Sequence, residues 1–240
     1  MQPPVQHYQT APLFSDGASQ SEMPDRGRLE RDGYLELPAF MADKLPRELD
    51  EALSELAGVR LHPWHSLAPT RKDQSTPNAY SGMYGFEQFP LHTDLAHWRK
   101  PPRFVALRCV RGHESVSTIL VDGRNVVPHM ESDVVNLAIV VPRRPRNGKL
   151  ILLKLHKPTS ETSSLLRWDE GFLRPANKYG EIAMASFHQA LRAAPVLKLA
   201  LKNPGDTIVF DNWRMLHGRD AVPDQCADRL IMRAYLGEMH

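Results

Sequence analysis

Hydrophobic and polar positions change their rhythm near residue 28. Before it, Pro3, Pro4, Pro12, Pro24 and Gly17 interrupt a stretch with neither helical nor strand period, so residues 1–28 are expected to form a flexible tail. From Leu29 the pattern becomes regular, and residues 29–240 are expected to form one domain. Residues 29–33 predict a short helix closed by Gly33, and 34–37 alternate as a strand. Leu49, Leu53 and Leu56 share one face of a helix over 46–56, the spacing of a helix packed on a sheet. A second long helix is expected over 179–193, with Ile182, Phe187, Ala190 and Leu191 as its buried stripe.

The remaining apolar runs are short and bounded by turns: 104–110, 117–121, 150–155, 196–201, 207–210 and 230–236. Many short strands without regular βα alternation predict a mainly β chain with flanking helices, a sandwich or barrel rather than a doubly wound sheet. The length of 240 residues permits a substantial core, and 42% hydrophobic with 24% charged residues is ordinary globular usage.

Lys and Arg number 30 against 28 Asp and Glu, a net charge of +2, which gives no electrostatic grip on nucleic acid or an anionic membrane. The longest apolar stretch, 134–141, falls far short of the roughly 20 residues of a spanning helix. Two cysteines, Cys109 and Cys226, make no disulfide framework, and the N-terminus shows no secretory signal pattern, so a cytoplasmic protein is expected. Composition leaves a homo-oligomer open.

Candidate chemistry begins at Leu91-His92-Thr93-Asp94, where residues two apart in an extended segment face the same side and can share a metal ion. With 11 histidines and 15 aspartates, chance alone supplies roughly 0.7 His-x-Asp matches, so this pair needs a third ligand. The run from Gly205 to Arg219 offers one: an apolar strand, the polar pair Asp211-Asn212, then His217 at a strand mouth. Two histidines and a carboxylate from separate strands form the facial triad that binds Fe(II) and leaves three positions open. Such positions suit dioxygen and a chelating α-keto acid, whose far carboxylate calls for an arginine fork. In the last strand, period 2 puts Arg229, Ile231, Arg233 and Tyr235 on one face, and two arginines there are costly unless an anion meets them.

These residues resemble the Fe(II)/2-oxoglutarate dioxygenases of the taurine dioxygenase and γ-butyrobetaine hydroxylase branch. The likeness lies in the run His92-Thr-Asp-Leu-Ala-His-Trp-Arg-Lys-Pro-Pro102-Arg-Phe-Val-Ala-Leu-Arg-Cys109 and in Asp211-Asn-Trp-Arg-Met-Leu-His217-Gly-Arg219, followed by the strand carrying Arg229 and Arg233. The resemblance implies a double-stranded β-helix, or jelly-roll, core. It also implies Fe(II) held by His92, Asp94 and His217, and 2-oxoglutarate and dioxygen as cosubstrates. Arg229 would meet the distal carboxylate of 2-oxoglutarate, with Thr118 supplying a hydroxyl to it and Ser115 the rival for that role. The implied reaction is oxidative decarboxylation of 2-oxoglutarate to succinate, coupled to oxidation of an unactivated C–H bond in a small molecule. The substrate is expected to be anionic or amino-acid-like, with Arg233 meeting its anionic group. Residues 123–176 match the family poorly.

Two other functions use the same residues: a zinc hydrolase or isomerase on a related barrel, and a non-catalytic binding protein. Of the weaker signals, His62 and His65 read as an exposed loop, His97 and Trp98 as either bordering the pocket or packing a loop, and Arg167-Trp168-Asp169 as a surface ion pair, with contact to substrate as the alternative. Arg219 is expected to brace the loop carrying His217, and Cys109 to fill a core position.

Overall fold

The run Thr207–Asp211 is buried at all five positions, and an apolar strand with no polar face must be covered on both sides. In the computed structural model it lies in the middle of a six-stranded sheet. The residues described are 25–145 and 148–238, so the tail expected over 1–28 lies outside them except at its end. There a helix starts earlier than the apolar pattern: Asp25 accepts a hydrogen bond from the Gly27 amide and caps a helix beginning at Arg26.

The helices are α1 (Arg26–Asp32), α2 (Pro46–Ala57), α3 (Tyr80–Tyr84), α4 (Ser132–Leu137) and α5 (Lys178–Ala193). The first eight strands are β1 (Tyr34–Leu37), β2 (Val59–Arg60), β3 (His65–Leu67), β4 (Phe89–His92), β5 (Phe104–Arg111), β6 (Thr118–Asp122), β7 (Ile139–Pro142) and β8 (Leu153–Lys154). The rest are β9 (His156–Pro158), β10 (Ser164–Leu166), β11 (Leu173–Pro175), β12 (Leu197–Leu199), β13 (Thr207–Asp211), β14 (Met215–Arg219) and β15 (Leu230–Gly237).

Two antiparallel sheets make the jelly roll. One runs β1-β13-β5-β15-β2, with β3 also on β15, and the other runs β12-β6-β14-β4. Their inner faces share one apolar cluster: Val105, Leu107, Ile208, Phe210 and Ile231 from the first meet Leu120, Leu199 and Met215 from the second. The outer face of the larger sheet is covered by α2, whose Leu49, Leu53 and Leu56 pack with Leu35, Val209, Ala234 and Leu236. A three-stranded sheet, β11-β7-β8, packs with α4 and α5 around Trp168 and Phe187. Among the described residues, no helix is long and apolar enough to cross a membrane.

Three expectations need correction. Along α5, Phe187 and Ala190 are buried as expected and Leu191 packs partly buried on the same cluster, whereas Ile182 is exposed and the small residues Gly180 and Ala183 complete the stripe. The run 150–155 shortens to the two-residue β8, with Leu150 and Leu152 left on the surface after a turn at Gly148. His217 lies within β14 rather than on a loop, since the short turn after β13 carries the chain from the larger sheet straight into β14 of the smaller one.

At Gly33 the backbone conformation calls for glycine. Gly33 ends α1 in the left-handed region (φ 83°), and a Cβ there would stand 2.8 Å from both Arg214 Cζ and Met215 Sδ. Arg214 uses its guanidinium to bind the terminal carbonyls of α1, at Glu30, Arg31 and Asp32, as well as Asp122. Gly33→Ala is therefore expected to destabilise the fold by about 1–3 kcal/mol, measured by denaturant titration; unchanged stability would show that this turn relaxes freely.

Candidate active site

The sheet β12-β6-β14-β4 brings the three candidate ligands together by register. His217 on β14 is directly opposite His92 on β4, and the rings have centroids 4.3 Å apart. Asp94 follows β4 by two residues and turns its carboxylate toward both. Its oxygens lie 3.5 Å from His92 Nε2 and 3.8 Å from His217 Nε2. One ion bonded at about 2.0–2.2 Å to two such donors would hold them about 3 Å apart, so a small inward adjustment fits the set to a metal. The ligand atoms all lie within 4.8 Å of one another, and no fourth His, Cys, Asp or Glu joins them among the described residues.

The surroundings favour ligation. His92 Nδ1 lies 2.9 Å from the Pro90 carbonyl, a hydrogen bond that puts the proton on Nδ1 and leaves the Nε2 lone pair facing Asp94. Burial pushes the His217 imidazole down to about 3, with the charges of His92 and Arg233 acting in the same direction, so it is neutral as a ligand must be. Burial also disfavours the charged form of His92, but its hydrogen bond to Asp94 and that residue's charge outweigh it and raise the group overall. For Asp94, burial opposes ionisation, yet Arg233 and the two histidines hold the carboxyl well below the usual range. Arg233 Nη1 donates to both Asp94 oxygens, at 3.1 and 3.3 Å.

A cavity of about 620 Å³ opens onto the three ligands, and Thr118, Arg229, Ile231, Arg233 and Tyr235 line it. The face of the last strand thus points inward at alternate residues, while Ala234 and Leu236 pack on the α2 side. Thr118 is buried on β6 opposite Arg219. Ser115 does not line the cavity; its hydroxyl lies 3.3 Å from Cys226 Sγ. Arg229 is buried with no carboxylate partner among the described residues, its Nε makes no hydrogen bond, and desolvation lowers its pKa to about 10.

His97 lines this cavity and Trp98 a neighbouring one. His65 lies on β3 opposite Arg233, so the segment expected as a plain exposed loop joins the sheet while its histidines stay on the surface. Arg219 donates to the carbonyls of Gly85 and Glu87 and stacks on Phe89, tying β14 to the chain before β4. Cys109 is buried in the core. The expected surface ion pair at Arg167 and Asp169 does not form. Both are buried, and Arg167 donates instead to the carbonyls of Ala96, Trp98 and Arg99.

Sequence reasoning passed over Asn212, fully buried in the turn between β13 and β14. Its Oδ1 accepts the Asp94 amide at 2.6 Å, and its Nδ2 donates to the carbonyls of Asp94 and Pro102. Asp211 makes the turn itself by accepting from the Trp213 amide. The signal was an Asx pair at a strand end, and nothing in the sequence pointed it at Asp94, 118 positions away. Leu95, with φ 54°, is equally silent in sequence, since leucine seldom adopts that region. Tyr80, also missed, packs on His92 with ring centroids 4.4 Å apart.

His92→Ala and His217→Ala are each expected to abolish stoichiometric Fe(II) binding, measured by equilibrium dialysis, while circular dichroism shows an intact fold. Retained stoichiometric binding in either variant would remove that histidine from the ligand set. Asn212→Ala is expected to weaken metal binding roughly 10–100-fold without touching a ligand atom, because it frees the backbone that aims Asp94.

No family model and no curated protein matches this sequence. Solved structures do match its fold. Asparagine oxygenase in complex with Fe(II), 3-hydroxyasparagine and succinate superposes with a TM-score of 0.65 at 18% identity, over 88% of this chain and 77% of that one. The PvcB protein of Pseudomonas aeruginosa gives 0.64 at 18% identity, over 88% and 78%. The non-haem iron oxygenase OrfP with Fe and α-ketoglutaric acid gives 0.62 at 18%, over 79% of this chain and 63% of OrfP. At this identity the likeness concerns architecture: the chain has the jelly-roll fold of these oxygenases.

Proposed function

We propose that this protein is an Fe(II)- and 2-oxoglutarate-dependent oxygenase that hydroxylates, or otherwise oxidises, an unactivated C–H bond of a small amino-acid-like molecule. The observation that carries the proposal is Arg229. A buried guanidinium without a carboxylate partner, in the same cavity as a His-Asp-His group, needs an anion brought in from outside. A zinc hydrolase would use the same three ligands and leave Arg229 without a task. The fold shared with oxygenases whose complexes hold iron together with α-ketoglutaric acid or succinate supports the same choice.

Bound Fe(II) would supply dioxygen activation coupled to oxidative decarboxylation of 2-oxoglutarate to succinate and carbon dioxide. The residues of the chain bind, orient and shield. His92, Asp94 and His217 hold the ion through three donors and leave its other positions to the cosubstrates. Arg229 receives the distal carboxylate of 2-oxoglutarate, and the Thr118 hydroxyl donates to the same molecule. Arg233 keeps Asp94 ionised and oriented through Nη1, and the rest of its guanidinium is left to meet an anionic group of the substrate. The rings of Tyr80 and Phe210 flank the two histidines and keep that side of the site apolar.

A cytoplasmic location and assignment to the taurine dioxygenase-like branch belong to the same proposal. The first is supported by Cys109 and Cys226, both buried free thiols. The second is supported by Arg229 immediately before the last strand and Arg233 within it.

Arg229→Met is expected to weaken 2-oxoglutarate binding by about 2–5 kcal/mol, the cost of truncating one partner of a desolvated charge pair, with iron affinity nearly unchanged. Isothermal titration of the iron-loaded, oxygen-free protein measures both. Parental affinity for 2-oxoglutarate in the variant would place the distal carboxylate elsewhere.

A further inference from the structure

Three carboxylates are buried among the described residues: Asp94, Asp169 and Asp211. Asp94 is paired with Arg233, and Asp211 with Arg103 at 3.4 Å. Among the described residues, no lysine, arginine or histidine lies within ion-pair distance of Asp169. Its neighbours in sequence are committed elsewhere: Arg167 to three carbonyls, and Glu170 to His188 on α5. Asp169 nevertheless lines the 620 Å³ cavity that opens onto the candidate ligands.

An ionised carboxylate taken out of water without a counter-charge costs several kcal/mol. Neutral donors meet it: Oδ1 accepts the Phe172 amide at 3.1 Å and closes the turn into β11, and the Gly171 amide and the Tyr80 hydroxyl also lie against the carboxylate and favour its charged form. None of these donors carries a full positive charge, and burial pushes the carboxyl up from its usual range, so the charged form gains from a cation brought in from outside. The walls beside it are aromatic. The rings of Tyr80 and Phe172 have centroids 5.2 Å apart, and His97 stacks on Phe172 at 5.5 Å. A carboxylate set among π-faces is a receptor for a cation, which gains from the charge and from the rings together.

We infer that Asp169 selects the substrate by pairing with a protonated nitrogen, an ammonium or a guanidinium, on a small molecule lodged beside Tyr80 and Phe172. The cavity then carries two fixed charges awaiting partners: Arg229, which takes the cosubstrate carboxylate, and Asp169, which takes a cationic end of the molecule to be oxidised. Tyr80 packs on both His92 and Phe172, so a cation held at Asp169 among these rings leaves the carbon skeleton beside the reacting centre. This inference rests on the oxygenase proposal, because it takes the ligand of this cavity to be that enzyme's substrate.

The test is equilibrium dialysis of the oxygen-free protein loaded with Fe(II) and 2-oxoglutarate. The probes are matched pairs that differ in one charged nitrogen: L-arginine and L-citrulline, L-ornithine and Nδ-acetyl-L-ornithine, L-asparagine and Nα-acetyl-L-asparagine. The first two pairs read a side-chain cation and the third an α-ammonium. At least one charged member is expected to be retained, with its neutralised partner bound tenfold or more weakly. Asp169→Asn, which keeps the oxygen that accepts from Phe172, should weaken the retained cation at least tenfold and leave 2-oxoglutarate affinity within twofold. Retention indifferent to charge, retention of no charged probe, or parental affinity in the variant would overturn the inference; the paired probes on the parent protein need no variant to fold. Failure of the oxygenase proposal would show separately, as a parent protein that binds no 2-oxoglutarate, and would take this inference with it.

Discussion

The ionised carboxylate of Asp94, buried where two sheets meet, is the constraint around which the centre of this protein is arranged. A charge in that position survives only if opposite charge and hydrogen-bond donors surround it. Arg233 supplies the charge, the two histidines supply polarisable neighbours, and the turn amide of Asp94 itself is held by Asn212. Each of these comes from a different strand or turn. The jelly roll is what brings them to one point: β15 carries Arg233 in the larger sheet, while β4 and β14 carry the histidines in the smaller.

Packing supports this arrangement from outside. The α2 stripe seals the outer face of the larger sheet, and the cluster around Trp168 and Phe187 backs the smaller sheet and the chain that follows β4. Trp168 also receives the Thr93 amide on its carbonyl, so the residue between the two candidate ligands is pinned to the third sheet region. The site is thus fixed by backbone on both flanks, with the side chains that do chemistry projecting into a cavity rather than bearing the core.

Much of this was legible in sequence because it depends on short-range period. The α2 stripe, the alternation of β15 and the buried run of β13 all follow from residue spacing, and the inward placement of Arg229 and Arg233 follows from the alternation. His92 and Asp94, two residues apart, could be paired on geometry alone. The long-range partners could not. Asn212 shows no sequence mark of its hydrogen bonds to Asp94, and Asp169 looked like half of a surface ion pair because its neighbour is arginine. Burial reverses that picture, and burial of a loop residue is set by the packing of α5 and β11, not by local pattern. The exposure of Ile182 on α5 has the same origin: a helix face chosen by what it packs against.

The most direct test of the central claim is an anaerobic titration of the Fe(II)-loaded protein with 2-oxoglutarate, followed in the visible range. One equivalent of 2-oxoglutarate is predicted to produce a metal-to-ligand charge-transfer band that saturates at one per iron and is absent with succinate. Stoichiometric iron binding with no band, at 2-oxoglutarate concentrations well above those of iron, would contradict the account and leave the His-Asp-His group to a different chemistry.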